Sequence, residues 1–323
     1  MTEKWLVGVD VGGTTTKMAF ITEIGDIVKK WEINTNTKDA GKHITTEIAN
    51  SITEQLQTLG QQKQMLIGIG VGAPGFIDME TGFIYKAVNI GWENFPLKDE
   101  LEQATGLPVI VDNDANIAAV GEMWRGAGDK AEHLLCVTLG TGVGGGVIVN
   151  GEILHGVNGM AGEIGHLTSI AEGGAPCNCG KTGCLETIAS ATGISRLAKE
   201  GIEKQKDSLL YTVNERKGEI SAKDVFEAAK GGDELAIEVV KSVSLHLGLA
   251  IANLANALNP EKIVIGGGVS NAGDILLTHV QDAFQRFALS RAQEGVEVTI
   301  ATLGNDAGVI GGAFLAKTSH DKS

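Results

Sequence analysis

The sequence predicts an α/β protein, on three observations: a glycine-turned β-hairpin at its start, an echo of that hairpin near its middle, and alternating strands and helices between the two. In "WLVGVDVGGTTTKMAFIT", residues 5–22, two β-rich runs flank Gly12, Gly13 and a threonine cluster, the pattern of a hairpin with a wide polar turn. The echo, "LLCVTLGTGVGGGVIVNGEI" at 134–153, again passes from apolar strand through glycine and threonine into apolar strand, so two related domains are expected. Between them, "HITTEIANSITEQLQTL" has the apolar spacing of a helix, "MLIGIGVGAPG" is a buried strand ending in a turn, and "LPVIVDNDANIAAVGEMW" runs from strand into helix. One long helical stretch over 223–258 is expected to stop at Asn259-Pro260, because proline pushes the residue before it out of the α region. "KIVIGGGVS" then reads as strand, glycine turn and helix, and "VEVTIATLG" as a last strand before the small-residue helix "AGVIGGAFLAK".

With 323 residues, 43% of them hydrophobic, the chain is long enough to bury a substantial core, and its length favours two domains. Its 45 glycines are about twice the average usage of roughly 7%, follow no G-X-Y period and cluster between apolar runs, so they shape turns. Asp and Glu number 40 against 26 Lys and Arg, a formal charge of -14, and that field repels polyphosphate backbones; nucleic acid is not an expected partner. The N-terminus enters a strand-like run without the h-region of a signal peptide. The apolar stretch "LGLAIANLANALNP" reads as too short, and too broken by Asn253 and Asn256, to span a bilayer. A cytoplasmic protein with reduced thiols and no membrane partner is expected.

Three glycine turns follow apolar strands, after Asp10, after Leu139 and after Ile265. Backbone N–H groups without a nearby Cβ surround an anion, and threonine hydroxyls add donors, so such turns suit phosphates. None matches the P-loop or the dinucleotide G-x-G-x-x-G pattern. Asp10 is either a turn-former or a carboxylate placed for a metal-bound phosphate. In "VDNDANIAA", Asp112, Asn113, Asp114 and Asn116 stand where a strand gives way to a helix, which taken alone is a helix-cap cluster. Asn89, Glu163, His166 and Glu186 add the amides and carboxylates that the fixed hydroxyls of a polyol require. His166, Cys177, Cys179 and Cys184 make the Cys3His set of structural zinc. A disulfide would leave one local thiol over, and a redox pair would read C-x-x-C.

In this order and over essentially the whole chain, "DVGGTTTK", "GAPG", "NDANIAA", "LGTGVGGG", "HGVNGMAGEIGH", "CNCGKTGCLE" and "GGGVS" resemble the ROK family of repressors, open reading frames and kinases, and within it the bacterial glucokinases. The resemblance implies the actin-like ATPase fold shared with hexokinases, two domains with an interdomain cleft. The smaller would comprise 1–114 plus 306–323, and the larger 115–305 with the metal loop. It implies ATP-dependent phosphorylation of a hexose, glucose foremost, at its 6-hydroxyl, with Mg2+ and a structural Zn2+, in a homodimer. N-acetylmannosamine, fructose and allose kinases of the family are the nearest alternatives. Its repressors carry a helix-turn-helix domain ahead of the first glycine turn, which here begins at residue 10.

Carried onto this chain, the family's roles make Asp114 the catalytic base and Asn89, Asn113, Glu163, His166 and Glu186 the sugar contacts. Asp10, Gly12, Gly13, Thr14 and Lys17 match the first phosphate turn, with the hydroxyl donor of the "TTT" run left open and Lys17 either a contributor or a solvated strand lysine. Thr141, Gly142, Gly144 and Gly145 match the second turn, Gly266, Gly267 and Gly268 the adenosine contacts, and His166, Cys177, Cys179 and Cys184 the zinc ligands. A closed four-ligand zinc has no position for substrate, so its expected job is to hold one wall of the sugar pocket.

Overall fold

The computed structural model describes residues 4–322 and divides into two compact units. The first comprises the chain to Lys130, Gly146–Gly162 and Leu303 onward; the second comprises Ala131–Gly145 and Glu163–Thr302.

Along the chain, Trp5–Val11 (β1), Thr15–Thr22 (β2) and Ile27–Asn34 (β3) form an antiparallel meander. Ile44–Thr58 (α1) leads to Leu66–Ala73 (β4), parallel to β1. Phe76–Asp78 (β5), Phe83–Ala87 (β6) and Trp92–Phe95 (β7) make a small antiparallel sheet. Leu97–Thr105 (α2), Val109–Asn113 (β8) and Asp114–Arg125 (α3) follow. Leu134–Leu139 (β9), Val143–Val149 (β10) and Glu152–Ile153 (β11) are the echo, and β10 carries the chain from the second unit into the first. Glu186–Ala189 (α4), Ala191–Ile202 (α5), Leu209–Lys217 (α6), Ala222–Lys230 (α7) and Glu234–Leu258 (α8) precede Lys262–Gly266 (β12). Asp274–Phe287 (α9), Ser290–Gln293 (α10), Glu297–Ile300 (β13) and Ala307–Lys322 (α11) complete it.

The echo extends to topology. One sheet runs β3-β2-β1-β4-β8 and the other β11-β10-β9-β12-β13, each with two strands added in parallel beyond the first of its hairpin. In β1 the period of two sends Trp5, Val7, Val9 and Val11 into a core with Ile48 and Ile52 of α1 and Leu97 and Leu101 of α2. Leu6 points the other way, into a core with Val309, Ile310 and Ala313 of α11. On that face α11 lies backbone against backbone: a Cβ on Gly8 would sit 1.7 Å from the Val309 carbonyl oxygen, and one on Gly70 1.8 Å from that of Gly312. Only glycine fits at either position.

Two expectations change. The helical stretch over 223–258 is two helices, because Gly232 turns left-handed (φ 87) and Asp233 begins a new one, its carboxylate accepting from Ala236 N at 2.9 Å. The stop at Asn259 does occur, in the left-handed region (φ 48). The apolar stretch read as too short for a bilayer belongs to α8, which by length and composition alone is long enough to cross one; 56% of its most apolar window is buried within the protein, as in a core helix. Helix α3 lies whole in the first unit, packed on α11 through Gly121 and Gly311.

Candidate active site

In the first unit, Asp10 and Lys17 face each other across the β1–β2 hairpin. Burial raises the pKa of the Asp10 carboxyl, and the Lys17 charge opposes that rise. Lys17 Nζ also donates to Asn305 Oδ1 at 3.1 Å. The threonine run now separates by position. Thr16 is buried, its hydroxyl 2.9 Å from that of Thr35, which donates to the Gly12 carbonyl at 2.7 Å. Thr15 is half-buried, and its carbonyl closes the turn by accepting from Gly12 N. Thr14 is the exposed member, at the tip with Gly13. A Cβ on Gly13 would stand 3.1 Å from the Asn89 carbonyl oxygen, so the first turn and the sugar-assigned Asn89 are neighbours within this unit.

Asn113 is the N-cap of α3, its Oδ1 accepting from Ala115 N at 2.8 Å. The cap reading therefore holds for Asn113, while Asp114 opens the helix exposed, its Oδ1 also 2.8 Å from Ala115 N. Beneath them Asp112 is buried; one oxygen accepts from Asn113 N and Asn116 Nδ2, and the other lies 2.7 Å from His155 Nε2. The sequence assigns no role to His155.

In the second unit the other phosphate turn is Gly140-Thr141-Gly142, closed by Gly140 N donating to the Gly142 carbonyl. Gly144 and the buried Gly145 lie past it, inside β10. Glu186, the first residue of α4, reaches this turn: its Oε2 accepts from Val143 N at 3.1 Å, and a Cβ on Gly142 would lie 2.1 Å from the same oxygen. Gly266 ends β12, Gly267 turns left-handed (φ 82) against the Leu139 backbone, and Gly268 opens a short turn. A cavity of about 490 Å³ lined by Gly140, Thr141, Ala191, Ser221, Phe226 and Gly268 joins the second and third turns. That volume suits a nucleoside-sized ligand. Ser221 and Phe226 are missed by sequence reasoning, since neither stands in a glycine turn.

The four sequence-predicted metal residues come together: one ligand atom from each of His166, Cys177, Cys179 and Cys184 lies within 4.8 Å of every other. Cys179 Sγ and Cys184 Sγ are 3.6 Å apart, as are Cys177 Sγ and His166 Nδ1. Ligands at about 2.3 Å (S) and about 2.0 Å (N) around a tetrahedral ion are separated by about 3.6–3.8 Å, so the set fits zinc. Burial pushes the Cys177 thiol up to about 12 and raises Cys184, while the Lys181 backbone N–H lowers Cys179. Three thiolates this close are stable together only around a cation. With Nδ1 on the cluster side, His166 Nε2 lies 3.7 Å from Glu163 Oε2. Glu186 Oε1 is 3.6 Å from Cys177 Sγ, so both sugar-assigned glutamates adjoin metal residues.

The model of the ROK family matches residues 6–319. This chain belongs to the ROK family. It is 65% identical to a glucokinase of Halalkalibacterium halodurans over 99% of this chain and 97% of that protein. Among solved structures it resembles a ROK family glucokinase from Streptomyces griseus in complex with glucose and AMPPNP, at TM-score 0.80 and 34% identity over 97% of this chain and 99% of that one. A ROK hexokinase from Thermus thermophilus matches at TM-score 0.85 and 31% identity, over 99% of this chain and all of its own. The fold is the actin-like ATPase fold of these ROK kinases.

Proposed function

We propose that this chain is an ATP-dependent glucokinase, transferring the γ-phosphoryl group of ATP to the 6-hydroxyl of glucose. The observation that carries the reading is the near full-length likeness to the S. griseus glucokinase bound to glucose and AMPPNP, together with 65% identity to another glucokinase.

In this reading Asp114, exposed at the head of α3, accepts the proton of the 6-hydroxyl as that oxygen attacks phosphorus. Asn89, Asn113, Glu163, His166 and Glu186 hold the remaining hydroxyls. The adenosine takes the cavity beside Gly268, and the phosphates take the two turns. There the N–H groups of Gly13 and Gly142 and the Thr14 and Thr141 hydroxyls meet the charge that develops on transfer. Asp10 is the first-turn residue that would hold Mg2+, whose charge would neutralise phosphate oxygens. Zinc held by His166, Cys177, Cys179 and Cys184 would supply a fixed centre that orders the loop and leaves His166 Nε2 for a sugar hydroxyl.

The test is ADP release with ATP and Mg2+ across a panel of hexoses, compared by kcat/KM. Glucose is expected to lead. Absence of sugar-dependent ADP with every hexose overturns the kinase reading, whereas faster turnover of N-acetylmannosamine, fructose or allose overturns only the choice of sugar.

A further inference from the structure

We infer that His155 is a positioning residue for the phosphoryl-transfer base, acting through the buried carboxylate of Asp112. The inference rests on the assignment of Asp114 and Asn113 above.

Asp112 is a carboxyl side chain almost fully removed from water, the next-to-last residue of β8, just before α3. Its two oxygens are divided between two tasks. Oδ1 accepts from Asn113 N at 2.7 Å and from Asn116 Nδ2 at 2.8 Å, so it grips the residues on either side of Asp114. Oδ2 is met by His155 Nε2 at 2.7 Å. His155 comes from 43 residues away, in the segment after β11, where its own carbonyl accepts from Ala161 N at 3.0 Å. That segment is thereby closed on itself and presents the imidazole from a fixed base.

A carboxylate in this position needs a partner for both oxygens, because an unmatched buried charge is costly enough to drive protonation or rearrangement. The contact on Oδ2 fixes the carboxyl's rotation about the Cβ–Cγ bond. Rotation, in turn, sets whether Oδ1 can hold Asn113 N and Asn116 Nδ2 at once. His155 therefore touches neither sugar nor nucleotide in this reading, yet its N–H decides where Asn113 and Asp114 point. The hydrogen bond to Asp112 also raises the His155 pKa, against the lowering effect of burial, which favours the charged donor.

The experiment compares His155→Ala, His155→Gln and Asp114→Asn with the wild type, measuring kcat, KM for glucose, KM for ATP, zinc content and thermal melting. Glutamine places an N–H donor where Nε2 stands; alanine places none. H155A is expected to lower kcat by about 10–100-fold, since a misplacement of about 1 Å at a reacting group reaches that scale. It should also raise KM for glucose, with KM for ATP within about twofold and zinc unchanged. H155Q should recover most of the loss. If H155A does not fold, H155N replaces it, because its shorter amide puts the donor at the Nδ1 position and away from Asp112. Wild-type kcat and glucose KM in H155A, or equal damage in H155Q and H155A, overturns the inference. A wild type without sugar-dependent ADP release, or an active D114N, overturns the underlying reading instead.

Discussion

Two regions that carry sugar-assigned groups are held by opposite means. At the β8–α3 junction, Asn113 and Asp114 ride on a strand paired along its length with β4 and on a capped helix, and a buried carboxylate ties the junction together. From Glu163 to Glu186 there is almost no regular structure: one short turn, two isolated bridges, and backbone hydrogen bonds such as Cys177 N to the Lys181 carbonyl and Gly183 N to that of Ala175. The loop has four converging side chains able to hold a metal where the junction has a core. Precise placement of a polar group thus needs either burial in regular structure or a metal bound on an irregular one, and the two should fail differently.

The sharpest separation comes from Asp114→Asn. It keeps shape and hydrogen-bonding capacity but removes the base, so kcat should fall by about 10²–10⁴ while calorimetry finds glucose binding largely intact. Near-normal turnover would reduce Asp114 to a helix-opening residue and leave the junction a purely structural region.

Next comes Cys179→Ser, an exposed member of the Cys3His cluster with no proposed sugar contact. Elemental analysis should find the zinc gone, with glucose affinity weaker by about 10–100-fold and nucleotide affinity little changed. Normal glucose binding in the zinc-free variant would show that the loop's own backbone bonds suffice and would erase the contrast between the regions.

A smaller effect should divide the loop itself. In Gly142→Ala the new Cβ collides with the Glu186 carboxylate, the mobile end of a side chain, and pushes it off Val143 N. Loss of a hydrogen bond to a charged group, about 1.5–3 kcal/mol, should weaken glucose binding by at least about tenfold with zinc retained. Zinc loss here would mean that Glu186 supports the metal rather than the reverse.

What is legible in the sequence follows the range of the interaction. The hairpins, β4, the β8–α3 passage and β12 announce themselves because apolar runs and glycine turns are local signals, and the Cys3His set is legible because its members crowd into one segment. The strands of the β5–β7 sheet, three to five residues each, are too short to display a period. The break at Gly231-Gly232-Asp233 is written in turn-forming residues but masked by helical apolar spacing on both sides. Contacts between His155 and Asp112, and between Glu186 and Val143, each join residues 43 apart. Nothing local marks them, since a lone histidine or glutamate has the same neighbours whether it reaches a partner or solvent.

The packing of α11 on Gly8 and Gly70 bears on the order in which the chain is made. Strand β1 leaves the ribosome with one face uncovered, because its cover is α11, which is made long afterwards. At about 5–20 residues per second, β1 waits tens of seconds for Val309 and Ile310, while most of the second unit is complete before α11 emerges. Until α11 emerges, the newborn sheet presents Leu6, Ala19 and Ile21 as a bare apolar surface. That interval is when a chaperone would have the most to hold, and when a chain stalled short of residue 307 would be most prone to aggregate.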